Sequence, residues 1–476
     1  MMPDNPPQTA RMISLKNPQE AEALFRQAVS LHEKGKKAEA AALYRAVLAA
    51  LPAYAPAWIN LGTLLRSEGK YAAAAGCAAR AVELAPDNAG YLTNYGNCLG
   101  DLDQKDAALA AHAKAAHLRP QDALIRNNHA IALREFGRLE KSLVEFDAAL
   151  VLRPQDHAIL WDRAITALHL GHYAEGWDAF EVRWHQRGMK LRAETAPRWR
   201  GEDLTGKTIL VYEEQGFGDS ILCSRYLPLI KARGGTVILE CKKPLHRLFS
   251  GIGAVDRFVE AAPPAGTYDY QVPMMSLPGI FGTTLENIPA PPALYAAPDV
   301  PPAAAALLAA GKGKMKVGIV WSGSVTFARN RKRAVGIERF LPLASIPGVQ
   351  LYSLQKGPCE GDVDAAGAQS LMLPLGPLVN DFADTAAVLQ QLDLVVMTDS
   401  SVAHLAASVG CPVWNLLGYY PYWLYLHGRT DSPWYPSMRL WRQEQPGDWD
   451  GLFKQVEDAL RQAAADYARS SNQPSP

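Results

Sequence analysis

Along the first 190 positions apolar residues recur at helical spacing in blocks separated by short polar turns, and the blocks repeat every 34 residues. Prolines stand at 52, 86, 120 and 154, and glycines at 35, 69, 137 and 171, with Asp103 in the missing register. One turn glycine and one proline per period predict antiparallel helix pairs stacked into an array. Small residues recur at one register (Ala28, Gly62, Gly96, Ala130, Ala164) and at a second (Ala40, Ala74, Ala108, Ser142, Gly176). Helix axes approach closely only where both sides lack bulk, so these columns should be where the helices of each pair meet. The array is expected over 20–190, about five hairpins, after a flexible segment 1–19. Its fifth unit departs from the pattern: Arg183 replaces a small residue and Gly188 stands where the next proline would fall. A solenoid ends in this way where it needs a cap or a neighbouring domain.

After about residue 200 the helical period gives way to apolar strand runs alternating with helical ones. Strands are expected at 208–214, 236–241, 257–260 and 268–273, then at 316–321, 349–355, 392–399 and 412–417. Helices are expected at 219–232, 337–344, 381–391, 401–409 and 449–468, with 470–476 disordered. A Pro/Ala-rich passage at 288–313, with a short helix at 303–310, separates the two series. Strands alternating with helices imply parallel sheets covered on both faces. The fold class is therefore an α-helical solenoid followed by an α/β, GT-B-like pair of Rossmann-like domains, 191–300 and 301–476. Ligands of such sheets bind beyond the carboxyl ends of the strands.

Four loops at those ends carry candidate chemistry. In Glu213-Glu214-Gln215-Gly216-Phe217-Gly218-Asp219-Ser220, Gly216 and Gly218 let backbone approach a ligand, and Asp219 can act as a helix cap or as a general base. The turn Trp321-Ser322-Gly323-Ser324 leads to Arg329, Arg331, Lys332 and Arg333. Guanidinium groups there, Arg331 and Arg333 above all, can meet a departing phosphate, or the loop can be a solvated basic one. Gln355 is placed to contact a base or ribose. The Asp399-Ser400-Ser401 segment opens a helix containing His404, a terminus able to receive an anion, with Asp399 alternatively a cap and His404 alternatively a packed core residue. In the array, Asn60, Asn94 and Asn128 recur at one repeat position, followed by Asp162. A carboxamide both donates to and accepts from peptide backbone, so a ladder of them can hold an extended chain, or the column can be no more than a recurrent choice of the repeat pattern.

Composition narrows the partners. Lys+Arg and Asp+Glu are 48 each, so no net charge draws the chain to nucleic acid or anionic membrane. The six cysteines are scattered without CxxC pairs or zinc-type spacing, so no metal is expected. With no run of about 18 apolar residues and no signal-like segment, no membrane span is expected and the protein reads as cytoplasmic.

The repeats match the tetratricopeptide pattern, best in Trp58, Leu61, Gly62, Leu65, Gly69, Tyr71, Ala74 and Pro86. The second half carries Glu214-Gln215-Gly216-Phe217-Gly218-Asp219, Lys316-Val317-Gly318-Ile319-Val320-Trp321-Ser322-Gly323, Ser353-Leu354-Gln355-Lys356-Gly357, Asp381-Phe382-Ala383-Asp384-Thr385, Thr398-Asp399-Ser400-Ser401-Val402-Ala403-His404 and Asp431-Ser432-Pro433-Trp434-Tyr435-Pro436. Together these resemble bacterial tetratricopeptide proteins whose C-terminal half is similar to glycosyltransferase family 9, the heptosyltransferase group. The resemblance implies metal-independent, inverting transfer without a resident cofactor, with Asp219 as base and 399–404 holding the nucleotide-sugar donor. The repeat array and the aromatic run Tyr419-Tyr420-Pro421-Tyr422-Trp423 depart from heptosyltransferases. The two-part design is similar to flagellin-modifying enzymes that attach a nonulosonic acid to Ser or Thr, which implies a protein acceptor such as flagellin in the repeat groove; the alternatives are heptosyltransferase-like transfer to a saccharide or lipid acceptor with the repeats binding a partner, and a non-catalytic repeat scaffold.

Overall fold

The computed structural model describes residues 18–471 apart from 187, 190, 191, 194, 296–299 and 326–329. The expected flexible segment 1–19 lies outside these residues except for its last two positions, as do 472–476 of the expected disordered tail, whereas 470 and 471 instead end a helix, Trp449–Ser471. The chain divides into two compact units, 1–159 and 160–476.

Helices α1 (Pro18–Glu33), α2 (Lys37–Ala50), α3 (Ala55–Ser67), α4 (Tyr71–Leu84), α5 (Ala89–Asp101), α6 (Lys105–Leu118), α7 (Ala123–Glu135), α8 (Leu139–Leu152), α9 (His157–Leu170) and α10 (Tyr173–Phe180) pair into five hairpins. Their second helices start at 37, 71, 105, 139 and 173, reproducing the 34-residue period. Each turn inside a hairpin passes through left-handed backbone: Gly35, Gly69, Gly137 and Gly171 have φ of 74°, 77°, 74° and 81°, and Asp103 takes the same conformation at 57°. That geometry costs most residues bearing a Cβ roughly 1–2 kcal/mol, and Asp is among the few that tolerate it. Entry into α5, α7 and α9 is fixed by caps at the same period. Asn88 Oδ1 accepts from the Tyr91 amide, Asp122 Oδ1 from those of Leu124 and Ile125, and Asp156 Oδ1 from those of Ala158 and Ile159. Each such cap contributes about 1 kcal/mol.

The two small-residue columns meet as the sequence implies. Ala28, Ala40, Ala74, Ala108, Ala130 and Ser142 are fully buried, and Ser142 Oγ donates to Ala130 O at 2.7 Å, directly linking the columns. A Cβ added to Gly62 would stand 3.2 Å from Ala74 O, and one on Gly96 would stand 2.7 Å from the His112 ring.

The second unit contains two sheets. The first joins β1 (Thr208–Tyr212), β2 (Thr236–Glu240), β3 (Arg257–Val259) and β4 (Tyr270–Pro273), all parallel, in the order β3-β2-β1-β4. The second joins β5 (Met315–Val320), β6 (Val349–Ser353), β7 (Met372–Pro374), β8 (Leu394–Thr398), β9 (Val413–Leu417), β10 (Asp431–Ser432) and β11 (Tyr435–Arg442) in the order β10-β11-β9-β8-β5-β6-β7. Only the β10–β11 pair is antiparallel. Chain order reverses beside β1 and again beside β5, between β1 and β4 and between β5 and β8. Connections diverge at such points, and the loops after β1, β5 and β8 lie there. Two expected helices are shorter and tighter than the pattern suggested. The 219–232 stretch is a helix Phe217–Cys223, a 3₁₀ turn Ser224–Tyr226 and a helix Leu227–Lys231, because Pro228 has no N–H to continue the ladder. Pro342 likewise leaves 337–344 as 3₁₀ turns, Ile337–Arg339 and Leu341–Ser345.

The fifth hairpin packs with these sheets. Tyr173, Trp177 and Phe180 belong to one continuous apolar core with Trp199, Trp423, Trp434 and the inner faces of both sheets. Trp177 Nε1 donates to Thr283 O at 3.0 Å and Trp434 Nε1 to the Tyr173 hydroxyl at 2.7 Å. The sequence sets the end of the array near residue 190, whereas packing groups everything from 160 with the α/β part. Within the hairpin Ala164 and Gly176 keep the array's small contacts, and the large aromatics on α10 are added to them and pack with the sheets. Arg183 completes the join: buried between the Phe180 and Trp184 rings, it bonds both oxygens of Glu214 (2.7 and 3.0 Å), Glu181 (2.7 Å) and Ser276 (2.7 Å).

Candidate functional site

After β1 the chain reaches Glu214, clamped by Arg183, and turns at Gly216 into the Phe217–Cys223 helix. Gly216 is the N-cap residue, and Asp219, three residues on, reaches back so that its Oδ2 accepts the Gly216 amide at 3.1 Å. Asp219 thus supplies the returning half of a capping box rather than the cap itself. Its Oδ1 accepts a long hydrogen bond, 3.4 Å, from the hydroxyl of Tyr422, which comes from the other lobe. Burial pushes the Asp219 carboxyl up to about 6; the Asp399 charge acts in the same direction, and the Gly216 amide and Tyr422 hydroxyl act against it.

Gly218 explains how the lobes come so close. A Cβ there would stand 2.9 Å from His404 Cδ2 and 3.5 Å from Ser401 Cα, so this glycine admits the tip of the Ser401–Ser408 helix. Phe217 and Phe382 rings meet across the same seam at 4.9 Å, and Arg247 bridges it to Asp381 (3.4 Å) and Asp384. The Asp219 turn and the start of the Ser401–Ser408 helix therefore face each other within one unit.

On the second lobe, Asp399 directly follows β8 and is held by two neighbours: the Tyr425 hydroxyl donates to Oδ1 at 2.7 Å, and Arg333 Nη1 lies 3.4 Å from Oδ2. Gly323 makes room for this arginine, since a Cβ would stand 2.7 Å from Arg333 Nη2. The Arg331 side chain and all of Arg329 lie outside the described residues. Gln355 is buried with its amide committed to backbone: Oε1 accepts from Trp321 and Ser322 (3.2 and 3.1 Å), and Nε2 donates to Ser322 O and Lys356 O (3.1 and 3.0 Å). It shapes the loop after β5 instead of presenting the amide to a base or ribose. Ser400 occupies the N-cap position of the Ser401–Ser408 helix without a side-chain cap bond, and Ser400 Oγ and Thr398 Oγ1 are buried without a hydrogen-bond partner. Orphaned buried hydroxyls at a helix start call for a ligand or water to complete them. His404 is buried, with Nδ1 3.1 Å from the Tyr435 hydroxyl, and burial holds its pKa down at about 4.

Tyr422, Tyr425 and Tyr435 were not among the residues singled out for chemistry from the sequence. The aromatic run 419–423 was visible, and the signal in it is position: it follows β9, and Tyr422 and, just beyond it, Tyr425 reach Asp219 and Asp399.

In the first unit Asn60 lies on α3, Asn94 on α5 and Asn128 on α7, all half-buried. Asn94 Nδ2 donates to Gly90 O at 2.9 Å and Asn128 Nδ2 to Leu124 O at 2.8 Å, so these two amides are oriented by their own helices, each with a second N–H and an oxygen besides. Among the described residues no three His, Cys, Asp or Glu side chains gather as a metal site, and no helix is long and apolar enough to cross a membrane.

The tetratricopeptide repeat family matches residues 13–55 and 59–123, so the chain carries tetratricopeptide repeats. The chain is 31% identical over 326 residues to Protein FlbA of Caulobacter vibrioides (strain ATCC 19089 / CIP 103742 / CB 15), a match covering 63% of this chain and 54% of that protein. It therefore spans about half the length of the curated relative it matches. Similar solved structures include YrrB, described as a TPR protein with an unusual peptide-binding site, at 19% identity over 36% of this chain and 88% of that chain, with a TM-score of 0.31. Another is MamA from residue 41 of Desulfovibrio magneticus RS-1, at 17% identity over 34% and 90% of the two chains, also with a TM-score of 0.31.

Proposed function

We propose that this protein is a cytoplasmic glycosyltransferase whose GT-B-like second unit moves a sugar from a nucleotide donor to a Ser or Thr hydroxyl of a protein held by the repeat array. The observation that carries the reading is the confrontation of Asp219, its pKa raised to about 6, with a helix start bearing the orphaned Thr398 and Ser400 hydroxyls. A general base works best with a pKa near the operating pH, and this carboxyl is tuned in that direction by burial. In the proposed step the acceptor oxygen attacks the anomeric carbon and gives its proton to Asp219 as that bond forms. The bond from the anomeric carbon to the phosphate oxygen breaks, and the nucleotide leaves with the electron pair. Arg333 and the helix start then meet the charge on the departing phosphate. Inversion follows from attack opposite the leaving group, and the step uses no metal. Flagellin with a CMP-linked nonulosonic acid is the first acceptor and donor pair to try.

Purified protein incubated with flagellin and a panel of nucleotide sugars should add a sugar mass to the acceptor, and Asp219→Asn should abolish the addition. No transfer with any donor, despite verified nucleotide binding, overturns the reading. A second reading, a repeat scaffold without catalysis, is favoured by the capping-box bond of Asp219, a structural use of that carboxylate. In that case Asp219→Asn leaves acceptor capture and phenotype unchanged.

A further inference from the structure

His404 belongs to the site proposed above, but what sets its proton has not been assigned. Its ring is fixed on two sides. Nδ1 meets the Tyr435 hydroxyl at 3.1 Å, with the two rings edge-on at 5.6 Å. The opposite edge turns to Gly218, where an added Cβ would stand 3.3 Å from Nε2, and Nε2 has no hydrogen-bond partner among the described residues. That edge is the one looking into the seam that holds Asp219.

Behind Tyr435 stands a cation. Arg225 is buried, its guanidinium 4.9 Å from the centre of the Tyr435 ring and 5.1 Å from that of Trp434. It donates to the carbonyls of Leu222 (2.9 Å), Pro289 (2.9 Å) and Trp434 (3.1 Å), and its Nη2 is buried without a partner. Among the described residues no carboxylate lies within ion-pair distance of it. A buried positive charge against the phenol draws electrons from its O–H and makes it a better donor, and it disfavours a second positive charge on the imidazole beyond.

Resting on the glycosyltransferase reading, we infer that Arg225 and Tyr435 are positioning residues that hold His404 as the neutral Nε2–H tautomer, a fixed hydrogen-bond donor to a phosphate oxygen of the donor substrate. The Tyr435 O–H donates to Nδ1, which leaves the single ring proton on Nε2, facing the seam. Arg225, Arg333 and Asp399 are the charged groups that act on the ring, the two arginines against its protonation and the carboxylate for it. In this arrangement His404 binds and orients, and it does not exchange a proton during transfer. That role stays with Asp219.

The test is nitrogen NMR of the 476-residue chain labelled in its histidines, with the His404 signals identified by their loss in His404→Gln. The expected result at neutral pH is the neutral Nε2–H form, giving way to a tautomer mixture in Tyr435→Phe, and a shift of the Nε2–H signal on titration with inorganic pyrophosphate. Nδ1–H, or a cationic ring, in the wild-type protein overturns the assignment without need of any variant, so misfolding of Tyr435→Phe cannot protect it. The expected tautomer with no response to pyrophosphate overturns the phosphate-oxygen part. A pyrophosphate response with no sugar transfer to any acceptor counts instead against the glycosyltransferase reading, so the two fail separately. With transfer in hand, Tyr435→Phe should raise KM for the nucleotide sugar about two- to threefold, since a tautomer mixture leaves only part of the population as the Nε2–H donor, and leave the acid limb of the pH profile in place.

Discussion

Asp219 is held where an aspartate is uncomfortable. Its folded pKa of about 6 lies above the ordinary value of 3.8, chiefly through burial, so between those values the folded state binds more protons than the unfolded one. The resulting stability is fullest at acid pH and is lost as pH rises through 6. Asp219→Asn, which carries no charge to bury, should therefore raise the melting temperature at pH 8, with the gain shrinking as the pH falls from 6 toward 4. Parallel melts of the two proteins across that window check it. If this group is the base, the same ionisation appears in the rate, with kcat/KM climbing as pH rises through about 6. The Tyr422 hydroxyl favours the charged form, so Tyr422→Phe should move that acid limb to higher pH. A limb that stays in place in Tyr422→Phe would show that the phenol does not touch the ionising group.

Among the elements, the hairpins show most directly what patterning can and cannot foretell. Their period, turns and contact columns follow from local chemistry, since each glycine, cap and small residue acts within its own repeat. Gly96 gives a quantitative check: a methyl placed 2.7 Å from the His112 ring overpacks the pair, and Gly96→Ala should cost about 1–2 kcal/mol in urea unfolding despite alanine's better helix propensity. The strands of both sheets were legible as apolar runs for the same local reason, although β7 and the β10–β11 hairpin were not. β7 is three residues long, and β11 is paired through distant β9, which no short window contains. At the site, Asp219, Asp399 and His404 stood out in the sequence because the loops and helix starts that carry them follow strands β1 and β8. Gln355 was misread because its neighbours on the 321–322 turn lie about 30 positions away. Tyr435 reaches His404 through the pairing of β11 with the earlier strand β9, and Arg225 only through the pairing of the lobes.

For the whole molecule, the second unit holds itself together through its aromatic and ionic joins. Arg183 pairs with the nearly buried Glu214, whose carboxyl is pushed up by burial even with the guanidinium in place. Arg183→Met removes the partner but not the acid, and should cost roughly 3–5 kcal/mol, more at high pH where Glu214 must ionise unpaired. Denaturant titrations at two pH values measure both effects. Truncation gives a coarser test. A chain beginning at Asp156 keeps the α9 cap and the whole aromatic core, and should melt cooperatively as a monomer. One beginning at 189 strips Tyr173, Trp177 and Phe180 from that core and should aggregate, as size-exclusion chromatography would reveal.

The sharing of one core by the fifth hairpin and both lobes makes hairpin five part of the chassis and leaves hairpins one to four as an exchangeable cartridge. Chimeras that swap binding arrays between related chains should be spliced just ahead of residue 156. A seam drawn at the apparent end of the repeats would instead saw through the keel.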